Sequence, residues 1–144
     1  MIIPAQSTRR SAYLFNWGSI LAVLIPFPLV AFWFGVSIFV YAFNKGHPDP
    51  RVAFFTQRAA NRFYLMIGIT IAVGKFTPQN DNTLYYYLGI WLFAVLLVMI
   101  PAIRDIYRIW HEPWFDIDTD NPPDKEKLLP PVTFGGHGLD EKVA

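Results

Sequence analysis

The sequence predicts an all-α integral membrane protein with about three transmembrane helices and an extended C-terminal tail. Only 16% of the 144 residues are charged and 53% are hydrophobic, whereas soluble domains carry about 25% charged residues. No Asp, Glu, Lys or Arg occurs between Arg10 and Lys45. This gap exceeds the roughly 20 apolar residues that cross a bilayer core. Prolines and acidic residues are instead concentrated after His111, which predicts a polar tail.

The first span is predicted at about residues 13–43, after a short polar lead at 1–12. Pro26 and Pro28 lie near its middle. Proline lacks a backbone N–H and clashes with the preceding turn, so we expect a kink there. One kinked span is favoured over a re-entrant first half that ends at the prolines.

The second and third spans are predicted at about 50–76 and 84–108, and they complete a transmembrane region of 13–110. Asp49 followed by Pro50 is typical of a helix start, with Asp at the N-cap and Pro at the first helical position. The second helix begins amphipathic and becomes apolar from Phe63. The third opens with Tyr85, Tyr86 and Tyr87, which is typical of an interfacial aromatic belt.

Three spans predict opposite sides for the two ends of the chain. The N-terminus would share one side with the 77–83 loop, and the more basic 44–62 region would share the other with the C-terminal tail. The positive-inside rule then predicts a cytoplasmic tail, and the location we expect is the bacterial inner membrane.

Several kinds of chemistry lack their residues in this chain. The net charge of +1 offers no basic tract for nucleic acid, and the absence of cysteine excludes thiolate ligands. No His, Asp or Glu lies in the apolar part of a predicted span, although such groups mark proton relays and haem sites. The apolar part of the third span ends at Ile103, and Asp105 falls in the interfacial turns predicted after it. We therefore predict no catalytic residue, no metal site and no cofactor bound by this chain alone.

The two closest approaches to a metal site are both weak. His47, His111 and His137 have no local ligand spacing. The 116–120 segment imitates the opening of a calcium loop, but its sixth and twelfth positions are Asn121 and Lys127 instead of Gly and Glu.

Candidate contact residues occur at helical spacing. Arg51, Arg58 and Arg62 form one stripe, which predicts contact with anionic lipid headgroups or with an acidic partner subunit. Two pairs of small residues, four apart, would allow close helix approach within the chain or against another protein: Ala31 with Gly35, and Gly68 with Ala72. The many bulky aromatic residues suit lipid contact more than pigment contact.

The tail at 111–144 combines acidic residues and prolines with apolar anchors, among them Trp114, Phe115 and Phe134. It has too little apolar content to fold alone, yet it has more anchors than a disordered segment needs. We expect it to lie on a partner as an extended strap.

These observations predict an accessory, structural subunit of a multisubunit membrane complex. Because small subunits of this kind are most common in bioenergetic complexes, respiratory or photosynthetic electron-transfer assemblies are the expected hosts. The predicted partners are other membrane subunits and lipids, and not nucleic acid. One alternative is a subunit of a membrane-bound monooxygenase or other enzyme that contributes His47, Asp49 and His111 to a shared site. Another is a small homo-oligomeric transporter or channel, for which Asn16, Ser19, Ser37 and Thr70 are the polar candidates.

Overall fold

Four helices form an antiparallel bundle in the computed structural model, which describes residues 1–124 and residue 128. The helices are α1 (Ala5–Leu24), α2 (Pro26–Lys45), α3 (Pro50–Lys75) and α4 (Thr83–His111). Two short strands, β1 (Ile2–Ile3) and β2 (Ile117–Asp118), pair antiparallel, with Ile2 opposite Asp118 and Ile3 opposite Ile117.

The prolines reverse the chain, whereas the sequence favoured one kinked span. Ile25 and Phe27 both leave the helical conformation (φ −122°, ψ 78° and φ −120°, ψ 127°). Pro26 and Pro28 lack the N–H groups that would continue the ladder of α1. As a result α2 runs back along α1, and the Asn44 side chain near the end of α2 donates to the Ser11 carbonyl near the start of α1 (3.0 Å).

This reversal changes the predicted topology. We call one end of the bundle the base: it holds the start of α1, the α2–α3 loop and the end of α4. The other end, the tip, holds the turn at 25–28 and the α3–α4 loop. The N-terminal residues lie at the base, beside the C-terminal segment, because β1 pairs with β2. The three-span prediction had placed them with the 77–83 loop, and this placement is corrected by the fourth helix.

The middle of the bundle is formed by α1 and α3, which pack on each other, while α2 and α4 flank them. Aromatic side chains fill much of the centre: the Phe15 ring meets those of Trp33, Phe63 and Tyr64. A second, smaller apolar cluster lies at the base and consists of Ala12, Val52, Phe55 and Ile109.

Two helices are long and apolar enough to cross a bilayer, Pro26–Lys45 and Thr83–His111. Their 20 and 29 residues correspond to about 30 Å and about 43 Å of helix. Within α2 only Ser37 and Asn44 are buried. The apolar surface of α2 therefore faces outward.

The observed bounds of α3 and α4 lie close to the predicted spans at 50–76 and 84–108. Asp49 caps α3 as predicted, since its side chain accepts a hydrogen bond from the Arg51 N–H (2.9 Å). Pro101 lies inside α4 and does not end it.

Candidate functional site

A fully buried carboxylate joins three helices in the base half of the bundle. Asp105 on α4 has no exposed surface. Its Oδ2 lies 2.7 Å from Nη1 of Arg62 and 3.7 Å from Nε of Arg58, both on α3. Arg62 also donates through Nη2 to the Asn16 side-chain carbonyl on α1 (2.8 Å). We call these four residues the ion cluster.

The ion cluster is held together by attraction between opposite charges more than by well-aligned hydrogen bonds. The Arg62 guanidinium is at ion-pair distance from Asp105, but among the described residues neither Asp105 oxygen accepts a well-aligned hydrogen bond. A buried carboxylate without a counter-ion would be very costly. The two arginines therefore make the burial of Asp105 tolerable, with the half-buried Arg62 contributing more than the more exposed Arg58.

A second ion pair fixes the C-terminal segment to the base. Arg51 contacts both carboxylate oxygens of buried Asp49, at 2.8 Å from Nη2 and 3.1 Å from Nε. Its Nη1 donates to the Pro113 carbonyl (2.8 Å), and its guanidinium lies over the Trp114 ring, 4.2 Å from the centroid. The chain after α4 is thus held against the start of α3.

The structure turns much of the predicted arginine stripe inward. Arg51 is buried and Arg62 is half-buried, and each pairs with a carboxylate of this chain. The acidic partner that the stripe suggested is, for Arg58 and Arg62, the chain's own Asp105. Only Arg58, whose side chain is 37% exposed, keeps enough surface for a headgroup or a partner subunit.

The sequence prediction did not single out Asp105, because it assigned the residues after Ile103 to interfacial turns at the membrane surface. A signal was nevertheless present. The buried residues of this half of α4 follow a heptad pattern, and Asp105 occupies one of its positions: Val95, Val98, Ala102, Asp105 and Ile109. An acidic residue in such a pattern needs a buried cation, and the arginines on α3 supply it.

The two small-residue pairs face away from the bundle. Ala31 and Gly35 on α2 are exposed, and so are Gly68 and Ala72 on α3. A Cβ atom added at Gly35 or Gly68 would meet nothing within 4 Å. These pairs therefore do not serve helix packing within the described chain, which leaves contact with another molecule as the predicted use.

Exposed aromatic residues surround the outward pair on α2. Phe32, Phe39 and Phe43 are each exposed by 65% or more. Phe27, at the turn between α1 and α2, is 88% exposed. These four phenylalanines project from the surface around the small residue Gly35, and we call the five residues the α2 face.

The predicted tail anchors divide into two kinds. Trp114 is half-buried against the base cluster, and its indole N–H donates to the Ile109 carbonyl (2.7 Å). Phe115, beside it, is 60% exposed. Phe134 and most of the predicted strap lie outside the described residues.

The two histidines proposed for a shared enzyme site, His47 and His111, make separate hydrogen bonds with different parts of the chain. His47 Nδ1 accepts a hydrogen bond from the Asp49 N–H (3.0 Å), while the Asp49 carboxylate is held by Arg51. Burial lowers the pKa of His47, against the opposing effect of the nearby Asp49 charge. His111 contacts the Tyr107 carbonyl through Nδ1 (2.8 Å). Within residues 1–124 no group of three His, Cys, Asp or Glu side chains could hold a metal ion, and His137 lies outside this range.

The hydroxyl groups suggested for a pore are used inside the bundle. Ser19 donates to the Phe15 carbonyl and accepts from the Trp33 indole. Ser37 hydrogen-bonds to the Tyr64 hydroxyl (2.9 Å). Thr70 donates to the Met66 sulfur.

Comparison with known proteins adds no relative to this picture: no family model, no curated protein and no solved structure matches the chain.

Proposed function

We propose that this chain is an integral membrane protein and that it acts as an accessory, structural subunit of a multisubunit membrane complex. One observation carries the proposal: the small-residue pairs and the α2 face point outward, whereas the principal buried charges, Asp49 and Asp105, are neutralised within the chain. The described part of the protein therefore offers other molecules an apolar, notched surface.

The distribution of charge supports the membrane placement. Within residues 1–124 the tip half of the bundle contains only Lys75 and Asp81 as charged residues, and both are exposed near helix ends. The basic residues of the described helices are otherwise in the base half: Arg9, Arg10, Lys45, Arg51, Arg58, Arg62, Arg104 and Arg108. The positive-inside rule then places the base in the cytoplasm.

The reversal at the prolines strengthens this orientation. In a three-span topology Arg9 and Arg10 would oppose the rule, because they would lie on the side of the tip loop. In the four-helix bundle they join the other basic residues at the base. The proposal therefore puts both ends of the described chain in the cytoplasm of a bacterial inner membrane.

The outward pairs support a role in assembly. In lipid, helices associate where small residues let their backbones approach closely, because lipid tails provide no hydrophobic driving force between helices. Gly35 and Gly68 are notches of this kind on neighbouring helices. Small accessory subunits are most common in bioenergetic complexes, so the proposed host is a respiratory or photosynthetic assembly, with the tail as a strap on a neighbouring subunit.

The experiment is purification of the tagged full chain from its native membrane in mild detergent, followed by native electrophoresis and identification of the co-migrating proteins. The expected result is a complex much larger than the 16.6 kDa chain, containing redox-active or pigment-bearing subunits. A lone monomer or a homo-oligomer would refute the accessory-subunit proposal. A host that carries a copper or iron monooxygenase site would instead favour the shared-enzyme hypothesis.

Matched glycine variants test which surface is used. Gly35→Leu and Gly68→Leu should each release the chain from the complex, because the added side chain fills a notch. Gly89→Leu on α4 is the control, since a Cβ there also meets nothing within 4 Å but no small residue lies four positions away. Equal retention of all three variants would count against docking through the small-residue pairs.

A further inference from the structure

A half-open cleft of about 650 Å³ lies at the tip of the bundle. It forms where α1 ends at Leu24, so that α3 and α4 continue beyond it toward the tip. Its walls are mainly apolar and include Val23, Val30, Ile67, Ile71 and Trp91. This volume is within the range of about 300–1,000 Å³ that small-molecule sites occupy.

Two polar groups on the wall are already used by the protein. The Trp91 indole N–H donates to the Val23 carbonyl at the end of α1 (2.8 Å). The Thr70 hydroxyl is directed to the Met66 sulfur (3.5 Å). A polar ligand would find few unpaired hydrogen-bonding groups on these walls, whereas a hydrocarbon chain needs none.

A single positive charge stands beside the cleft. Lys75 is one helical turn beyond Ile71 on the same face of α3, and its side chain is exposed. It is the one Lys or Arg in the tip half of the described bundle. Tyr86, which lines an adjoining smaller cleft, belongs to the tyrosine run that marks headgroup level. Tyr87 of the same run lines the 650 Å³ cleft itself. The cleft therefore opens at headgroup depth beside Lys75 and extends inward to acyl-chain depth at Met66.

We propose that this cleft binds one acyl chain of an anionic phospholipid whose phosphate lies against Lys75. The inference rests on the membrane placement proposed above and adds a specific ligand at the tip. A helix of a partner protein fits less well. At a helix diameter of about 10 Å, this volume would take fewer than about two turns. A slender hydrocarbon chain matches both the shape of the cleft and the charge beside it.

The test uses the full chain in nanodiscs of phosphatidylglycerol and phosphatidylcholine in equal amounts. Native mass spectrometry counts the lipid that stays bound, and phosphatidylglycerol with a photoreactive acyl chain maps its position. We expect one phosphatidylglycerol retained per chain, with cross-links to α3 and α4 around Ile71 and Trp91. Cross-links confined to the base, or equal retention of the two lipids, would overturn the proposal. Loss of the cross-links to α3 and α4 in native membranes, while they persist in nanodiscs, would assign the cleft to a partner protein instead.

Three variants separate charge from shape. Lys75→Gln should lower the preference for phosphatidylglycerol about fivefold, while the matched variant Lys45→Gln at the base should leave it unchanged. Ile71→Trp should block acyl cross-linking for both lipids, and because Ile71 is 68% exposed the substitution should leave the unfolding temperature unchanged. A chain that does not enter nanodiscs at all would refute the membrane proposal. A chain that enters and retains no lipid would refute only this inference.

Discussion

Removal of the Asp105 charge is the substitution that we expect to lower the stability of the bundle most. Asp105→Asn keeps the shape of the side chain, so no cavity forms, but it leaves Arg62 and Arg58 without their counter-ion at 2.7 Å and 3.7 Å. Loss of one partner from a buried ion pair costs about 3–5 kcal/mol. Since the Arg62 side chain keeps 17% of its surface, we expect the lower end, about 3 kcal/mol.

The assay is equilibrium unfolding of the full chain in mixed detergent micelles, followed by circular dichroism. The double variant Asp105→Leu with Arg62→Leu should recover most of the loss, because replacing both charges with apolar groups removes the desolvation penalty. A change in unfolding free energy below about 0.5 kcal/mol for Asp105→Asn would show that the ion cluster contributes no more than an exposed ion pair does.

Three further predictions concern single contacts. Gly18→Ala should destabilise the bundle by about 1–3 kcal/mol, because its Cβ would overlap the Trp33 ring, while the open Gly89→Ala should be neutral or stabilising; unfolding of both variants checks the sign, and equal effects would contradict it. Trp91→Phe should cost about 1–2 kcal/mol in the same assay, because it leaves the Val23 carbonyl without its donor; wild-type stability would show that this bond is replaceable. Because burial lowers the pKa of His47 in the folded chain, the unfolded chain binds more protons than the folded chain once the pH falls below about 6.5. The free energy of unfolding should therefore decline as the pH falls through that value, and His47→Gln should flatten this part of the profile of stability against pH. The same slope in the wild type and in His47→Gln would contradict the prediction.

Local signals in the sequence were enough for α3. Asp49 and Pro50 define where the helix starts through groups that lie within two residues of one another, and the structure has the same N-cap contact. The helix end at Lys75 is likewise close to the predicted end at residue 76. Signals of this kind do not depend on the rest of the fold.

The direction of the chain after Pro26 could not be read in this way. Two prolines predict an interruption, but both a kink and a reversal satisfy them locally. The reversal is stabilised by contacts between residues far apart in sequence, such as Asn44 with Ser11 and Thr56, and Trp33 with Ser19. These contacts exist only once α1 and α2 lie side by side.

The candidate site shows the same limit. Spacing alone placed the arginines on one stripe and the small residues in pairs, but it did not say which way each face pointed. The structure turns Arg51 and Arg62 inward and leaves Gly35 and Gly68 outward. The orientation of a helix face depends on the neighbouring helices, and for Arg62 it depends on the buried Asp105, about 40 residues away in sequence.

Insertion of the bundle into a bilayer with its base in the cytoplasm underlies both proposals, and cysteine labelling in intact cells tests it directly. The chain has no cysteine, so single substitutions at Gln6, Gly46 and Asn80 can each be probed with a membrane-impermeant maleimide. We expect labelling of Asn80→Cys from outside the cell, and labelling of Gln6→Cys and Gly46→Cys only after the cells are permeabilised. Labelling of Gln6→Cys and Asn80→Cys, but not Gly46→Cys, from outside the cell would establish the three-span topology and refute a cytoplasmic base.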